Sequence, residues 1–158
     1  MTAKTNTILV VDDEVINLRM LERLFRDHYG VLTATSGLAA LEILKQVEVS
    51  LLISDQRMPG MTGIELLRAV RKIYPDLVCM LVTANTDEDT SIEAINEAGA
   101  LRVIHKPWKG ETVLQFVQET LAQRETLIEC NQANAQIELA LSELRLAMEE
   151  LNLVSKHD

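Results

Sequence analysis

Three apolar runs in this chain lack polar alternation: Ile8 to Val11, Leu51 to Ile53 and Met80 to Val82. A strand with one wet face alternates. A strand that is apolar at every position must be covered on both faces, as parallel strands between helices are. Stretches of helical spacing lie between the runs. The first reads from about Val15 and sets Leu18, Leu21, Phe25 and His28 near one face. A further strand is expected at Val31 to Ala34, then a helix capped by Ser36 and carrying Ala40, Ile43, Leu44 and Val47. Thr62-Gly-Ile-Glu65 has capping-box spacing and opens a helix through Leu66, Leu67 and Val70. Pro75 and Asp76 break the chain before the fourth strand. Thr86-Asp-Glu-Asp89 starts a helix through Ile92 and Ile95 that stops at Gly99. A fifth strand ends at Lys106-Pro107. A buried helix segment explains any single run, but not the repeated strand–helix spacing. Residues 6 to about 120 therefore predict an α/β fold, a five-stranded parallel doubly wound sheet with right-handed crossovers.

Ligands of such sheets bind beyond the carboxyl ends of the strands. Ile8 to Val11 runs into Asp12 and Asp13. Leu51 to Ser54 runs into Asp55, Val78 to Val82 into Thr83, and Leu101 to Ile104, through His105, into Lys106. Three carboxylates, a hydroxyl and an ammonium are expected to meet at one edge. Asp55 precedes a turn at Pro59-Gly60, and a carboxylate there can attack phosphorus to give an aspartyl phosphate. Asp12 and Asp13 would hold Mg2+, a hard ion that takes one or two carboxylates and bridges to phosphoryl oxygens. Lys106 adds a compact positive charge and Thr83 a hydroxyl donor. Each residue has a plainer explanation alone. The acidic pair could charge the start of the first helix. Asp55 could be a turn residue, Thr83 a strand-end hydroxyl bonded to its own backbone and Lys106 a solvated charge. Their recurrence at four strand ends favours the phosphoryl-transfer reading.

At these residues the chain resembles the receiver domain of two-component response regulators, over about residues 6 to 122. Val10-Val11-Asp12-Asp13-Glu14 is similar to the family's acidic pair. Ser54-Asp55-Gln-Arg-Met58-Pro59-Gly-Met61-Thr-Gly63 is similar to its phosphoacceptor loop. Val82-Thr83-Ala84 resembles the switch-hydroxyl segment, and Lys106-Pro107 the lysine followed by a proline, through a cis bond. The resemblance implies a flavodoxin-like strand order of 2-1-3-4-5. It implies phosphorylation of Asp55 by a sensor histidine kinase or phosphotransfer protein. The metal site would be Asp12, Asp13, Asp55 and the backbone carbonyl of Arg57. The domain would be a switch and not an enzyme. Receivers usually carry Tyr or Phe three residues before the lysine, where this chain has Val103. Any output change is then expected to travel through the loop after Thr83 or through a dimer interface. Trp108 follows Pro107 as in receivers joined to cyclic-dinucleotide enzymes or hybrid kinases, and packing at the start of the last helix explains it as well. A haloacid-dehalogenase-type phosphatase also uses an aspartyl phosphate. It would need its nucleophile after the first strand and an acid two residues later, whereas Asp12 is followed by Asp13 and then Glu14.

From Glu111 to Asp158 there is no Gly or Pro, and the composition favours one helix, or two with a tight break. Leu127, Cys130, Asn134, Ile137, Leu141, Leu144, Met148 and Leu151 form an a/d seam. Residues 1–122 then read as a receiver and 123–158 as a coiled-coil helix continuing from it, leading to an output domain beyond Asp158. The alternative is a stand-alone dimeric module. A parallel homodimer through residues 127–151 is expected, with Asn134 at an a position. Leu139, Leu146 and Leu153 repeat on another face and leave room for a bundle. A net charge of −9, without a basic stripe, argues against nucleic acid. No apolar run is long enough for a membrane. Met1 to Thr7 leads straight into the first strand, so no signal peptide is expected. Two separated cysteines, Cys79 and Cys130, suit a reducing cytoplasm.

Overall fold

A computed structural model describes residues 6–84 and 88–156. The chain alternates β1 (Thr7–Val11), α1 (Val15–Phe25), β2 (Gly30–Ala34), α2 (Gly37–Gln46), β3 (Leu51–Asp55), α3 (Gly63–Ile73), β4 (Val78–Ala84), α4 (Glu88–Asn96), β5 (Arg102–Lys106) and α5 (Gly110–Lys156). The five strands form one parallel sheet in the order β2-β1-β3-β4-β5. This is the flavodoxin-like doubly wound arrangement.

Successive side chains on a strand point to opposite faces, and each face has its own core. Leu9, Val11, Leu52 and Leu81 face Ala40 and Leu44 of α2, Leu66, Leu67 and Val70 of α3, and Ala94 of α4. Ile8, Val10, Ile53, Met80 and Val82 face Leu18, Leu21 and Phe25 of α1 and Val113, Val117 and Leu121 of α5. The unbroken apolar runs are therefore two interleaved half-strands, one for each core. Fully burying each such side chain contributes about 1.5–3 kcal/mol.

Caps fix the helix ends. The Ser36 hydroxyl accepts from Ala39 N–H at 3.1 Å. Thr62 and Glu65 close the expected capping box, with bonds of 3.2 Å in each direction. Three expectations at boundaries need correction. His28 does not extend the buried face of α1, because the helix ends at Phe25 and His28 sits exposed in the turn into β2. Val47 leaves α2 at its C-cap with extended backbone and is exposed, since the chain there heads for β3. Leu101 precedes β5 and is 40 % exposed. The expected cap at Thr86 lies outside the described residues. In α4, Ala94 is buried while Ile92 and Ile95 face outward. Gly99 turns the chain at φ +80°, and the Lys106–Pro107 bond is cis.

Two units divide the chain, residues 1–124 and 125–158. The second consists of the later turns of α5, a single helix of 47 residues. Every described side chain from Glu129 to Ser155 is exposed. The seam residues Leu127, Ile137, Leu141, Leu144, Met148 and Leu151 are 47 to 68 % exposed, leaving an uncovered apolar stripe.

The two thiols differ sharply. Cys79 is buried in β4, and burial pushes its thiol from the ordinary 9.0 up to about 12. Cys130 is exposed. A soluble maleimide at neutral pH is expected to reach Cys79 only after unfolding, as intact mass with and without denaturant will show. Rapid double labelling of folded protein would contradict this burial. The folded state keeps the Cys79 proton that the unfolded chain releases above 9.0. Its contribution to stability is therefore present below 9.0 and is lost as pH climbs towards about 12.

Candidate functional site

Strand register brings the predicted groups to one edge. Val11 pairs with Ser54, so Asp12 and Asp55 leave neighbouring strands side by side. Asp55 pairs with Val82, Thr83 with His105 and Ala84 with Lys106. Carboxylate oxygens of Asp12, Asp13 and Asp55 lie within 4.8 Å of one another. Asp12 and Asp55 are buried and Asp13 is exposed. Lys106 Nζ meets Asp55 Oδ1 at 2.7 Å. Thr83 is buried beside them.

Three carboxylates thus face one ammonium. Burial is the main force raising the Asp12 pKa, and the Asp55 charge adds to it. The Glu14 N–H, the Asn17 amide and Lys106 pull in the other direction without winning. For Lys106, burial alone would lower the pKa. The hydrogen bond to Asp55 and the charges of Asp55, Asp12 and Glu14 outweigh it and leave Lys106 firmly cationic. One ammonium cannot balance three carboxylates in a partly desolvated cleft. The donors are all hard oxygens, with waters free to complete a shell on the exposed Asp13 side. That set fits Mg2+.

The loop after β3 is knitted tightly into the sheet. Ser54 Oγ donates to the Asp55 carbonyl at 2.9 Å. Gln56 N–H donates to Val82 O, and Gly63 N–H to Gln56 O, each at 3.0 Å. Gln56 Oε1 accepts from Ile64 N–H at 2.9 Å, tying the loop to the first turn of α3. At Gly63 a Cβ would overlap the Asp55 carbonyl oxygen and lie 2.6 Å from Leu81 Cδ1. Only glycine permits this approach, so Gly63 sets the distance between α3 and the Asp55 backbone.

A cavity of about 60 Å3 opens beside Asp55, lined by Gln56, Arg57, Thr83, Ala84 and Lys106. A smaller one, about 10 Å3, touches Asp12, Asn17, Asp55, Lys106 and Trp108. The larger hollow of about 470 Å3 lies at the opposite end of the sheet, around Val47, Val49, Tyr74 and Leu77. It contains none of the strand-end groups, so size does not mark the chemistry here. Val103 is partly buried and packs in the core that holds Leu9 and Leu81. Trp108 packs against the opposite core.

Sequence reasoning assigned no individual role to Asn17, Gln56 or Gly63. Gln56 and Gly63 stood in it only as members of the loop segment similar to the phosphoacceptor loop, and Gly63 also as a spacer in the capping box. Asn17 could have been noticed as a polar residue in the otherwise apolar first turn of α1.

Comparison with known proteins agrees with this geometry. The family described as the response regulator receiver domain matches residues 8–118. The hydrogenase transcriptional regulatory protein HoxA of Cupriavidus necator is 37 % identical over 121 residues, covering 77 % of this chain but 25 % of that protein. The transcriptional regulatory protein GlrR of Escherichia coli is 30 % identical across 100 % of this chain and 35 % of its own length. The chain thus spans about a quarter to a third of these relatives. Among solved structures, a response regulator receiver domain protein from Clostridium thermocellum superposes with a TM-score of 0.72 at 30 % identity, covering 77 % of this chain and 98 % of that one.

Proposed function

This chain belongs to the response regulator receiver domain family, and on that premise we propose that Asp55 accepts a phosphoryl group from a histidine kinase or phosphotransfer protein. The observation that carries the reading is the Asp55–Lys106 pair set among Asp12 and Asp13 at the strand ends. In the transfer a carboxylate oxygen of Asp55 attacks the phosphorus of a phosphohistidine. The O–P bond forms, the P–N bond breaks, and the electron pair stays on the imidazole nitrogen. Lys106 first orients the carboxylate and then faces the charge spread over the phosphoryl oxygens. Thr83 offers its hydroxyl to one of those oxygens from the wall of the same cavity. Asp12, Asp13, Asp55 and the Arg57 carbonyl would hold Mg2+. When bound, the ion supplies neutralisation of the phosphoryl charge.

Incubation with acetyl phosphate and Mg2+, followed by intact-mass measurement, tests the reading. One phosphoryl group per chain is expected. Uptake that continues undiminished in excess chelator would count against the metal part.

The domain boundary near residue 122, the cytoplasmic setting and the output belong to the same proposal. The phosphorylated state biases a two-state equilibrium, and residues 123–158 carry it, as a parallel coiled-coil dimer, to an output domain. Since HoxA and GlrR are named as transcriptional regulators, control of transcription through an attached domain is the proposed outcome. An in-register parallel pair sets Asn134 against Asn134, where the two amides can bond each other. The seam from Leu127 to Leu151 would span about 37 Å at about 1.5 Å per residue. In that register Cys130 faces its mate at a d position. Mild oxidation is therefore expected to link two chains, visible as a reducible dimer on a denaturing gel. A protein that is dimeric by light scattering yet never forms the Cys130 link would overturn the parallel arrangement and leave the Asp55 argument intact.

A further inference from the structure

We propose that Asn17 is a positioning residue for the phosphoacceptor site, holding the Asp12 carboxylate in the orientation that metal binding requires. The inference rests on the metal part of the reading above.

Asn17 is the third residue of α1. At that position a polar side chain commonly bonds back to the N-cap backbone and satisfies the helix end. Asn17 is turned elsewhere. Its Nδ2 donates to Asp12 Oδ2 at 3.1 Å and approaches Glu14 Oε2 at 3.4 Å. Both acceptors are carboxylate oxygens, so the amide must present its nitrogen and not its oxygen.

The other Asp12 oxygen is also taken. Oδ1 accepts from the Glu14 backbone N–H at 2.9 Å. One donor on each oxygen fixes the plane of the carboxylate. Each oxygen still has a second lone-pair direction free to serve the ion or its waters. Asp12 needs such support. It is 5 % exposed, and its oxygens share 4.8 Å of space with those of Asp13 and Asp55. A freely rotating buried carboxylate would turn away from its like-charged neighbours. The Glu14 N–H comes with the backbone whatever side chain follows. The Asn17 amide is the part of the clamp that the sequence chooses. It also lines the small cavity shared by Asp12, Asp55 and Lys106, so its place is at the site and not on the outer face of α1.

Outer-shell donors of this kind change metal affinity by about 10- to 100-fold when removed. Leucine has the branching and the heavy-atom count of asparagine, in a bulkier side chain, and no donor. Histidine can place a ring N–H close to where the amide N–H stood. Mg2+ alone, titrated calorimetrically into the full chain, gives a readout independent of phosphoryl transfer. Asn17→Leu is expected to weaken Mg2+ binding about tenfold, at the low end of that range. Asn17→His should recover most of the loss. In an Asp12→Ala background, Asn17→Leu should change the affinity no further, because the group it holds is gone. Acetyl phosphate uptake by Asn17→Leu should be slow at low Mg2+ and return towards the wild-type rate at saturating Mg2+.

Unchanged Mg2+ affinity in folded Asn17→Leu would overturn this inference alone. Equal losses in the Leu and His variants, or a further loss in the Asp12→Ala background, would assign Asn17 to packing of α1 and overturn it too. Failure of the wild-type chain to bind Mg2+ would instead bring down the metal reading, and this inference with it.

Discussion

Asp55→Asn is expected to abolish phosphoryl uptake from acetyl phosphate completely. The amide retains the shape of the side chain and loses its nucleophilic oxygen. No other carboxylate replaces it. Among the described residues Lys106 pairs with Asp55 and with neither Asp12 nor Asp13, and Asp13 is exposed. The substitution also removes one of three crowded negative charges while leaving two to face Lys106. Thermal stability should therefore hold or rise, even though the 2.7 Å ion pair is lost. Intact mass and a melting curve check the two halves of the expectation together. A stable phosphate ester on Ser54 or Thr83 in this variant would sink the assignment of Asp55. So would undiminished uptake.

Gly63→Ala should do nearly as much damage by a different route. The added methyl has no room against the Asp55 carbonyl and the Leu81 side chain. Backbone is a poor partner for such a clash because it cannot swing away. Either α3 must withdraw or the end of β3 must shift. Overpacking of this kind costs about 1–3 kcal/mol, and any shift carries the Asp55 carboxylate away from Lys106. The expected result is an unfolding free energy lowered by that amount, together with slower phosphoryl uptake by the folded fraction. A Gly63→Ala protein with both wild-type stability and wild-type uptake would show that the loop has slack the contacts do not suggest.

Most of the architecture was legible because parallel strands announce themselves. Ile8 to Val11 and Met80 to Val82 must be apolar on both sides to feed two cores, and their recurrence between helical stretches separates them from buried helix segments. The placement of Asp12, Asp55, Thr83 and Lys106 was legible for the same reason, since each stands at or just past the carboxyl end of such a run, Asp55 behind Ser54 and Lys106 behind His105. Boundaries were less so. Helical spacing continues through His28 and Val47 although the backbone has already turned, because periodicity records side-chain type and not the φ, ψ change that ends a helix. Ile92 and Ile95 look like core residues in sequence but face outward. Asn17 and Gly63 were hidden by distance along the chain. The partner of Asn17 is across the strand–helix junction, and the atom that excludes a side chain at Gly63 belongs to the backbone of Asp55, eight positions earlier. The heptad seam of α5 was legible as a spacing, and its apolar side chains stand exposed in the single chain.

Trp108 gives the molecule a property of practical use. It is the single tryptophan of the chain, half-buried against the core of Ile8 and Val10, and it borders the same small cavity as Asp12, Asp55 and Lys106. An indole responds to the electric field across its ring. Its emission is therefore expected to respond to a change of charge on those three groups. A stopped-flow trace of unlabelled protein mixed with a small phosphodonor is expected to follow phosphoryl uptake and loss in real time, read from the border of the cavity that Asp55 also lines.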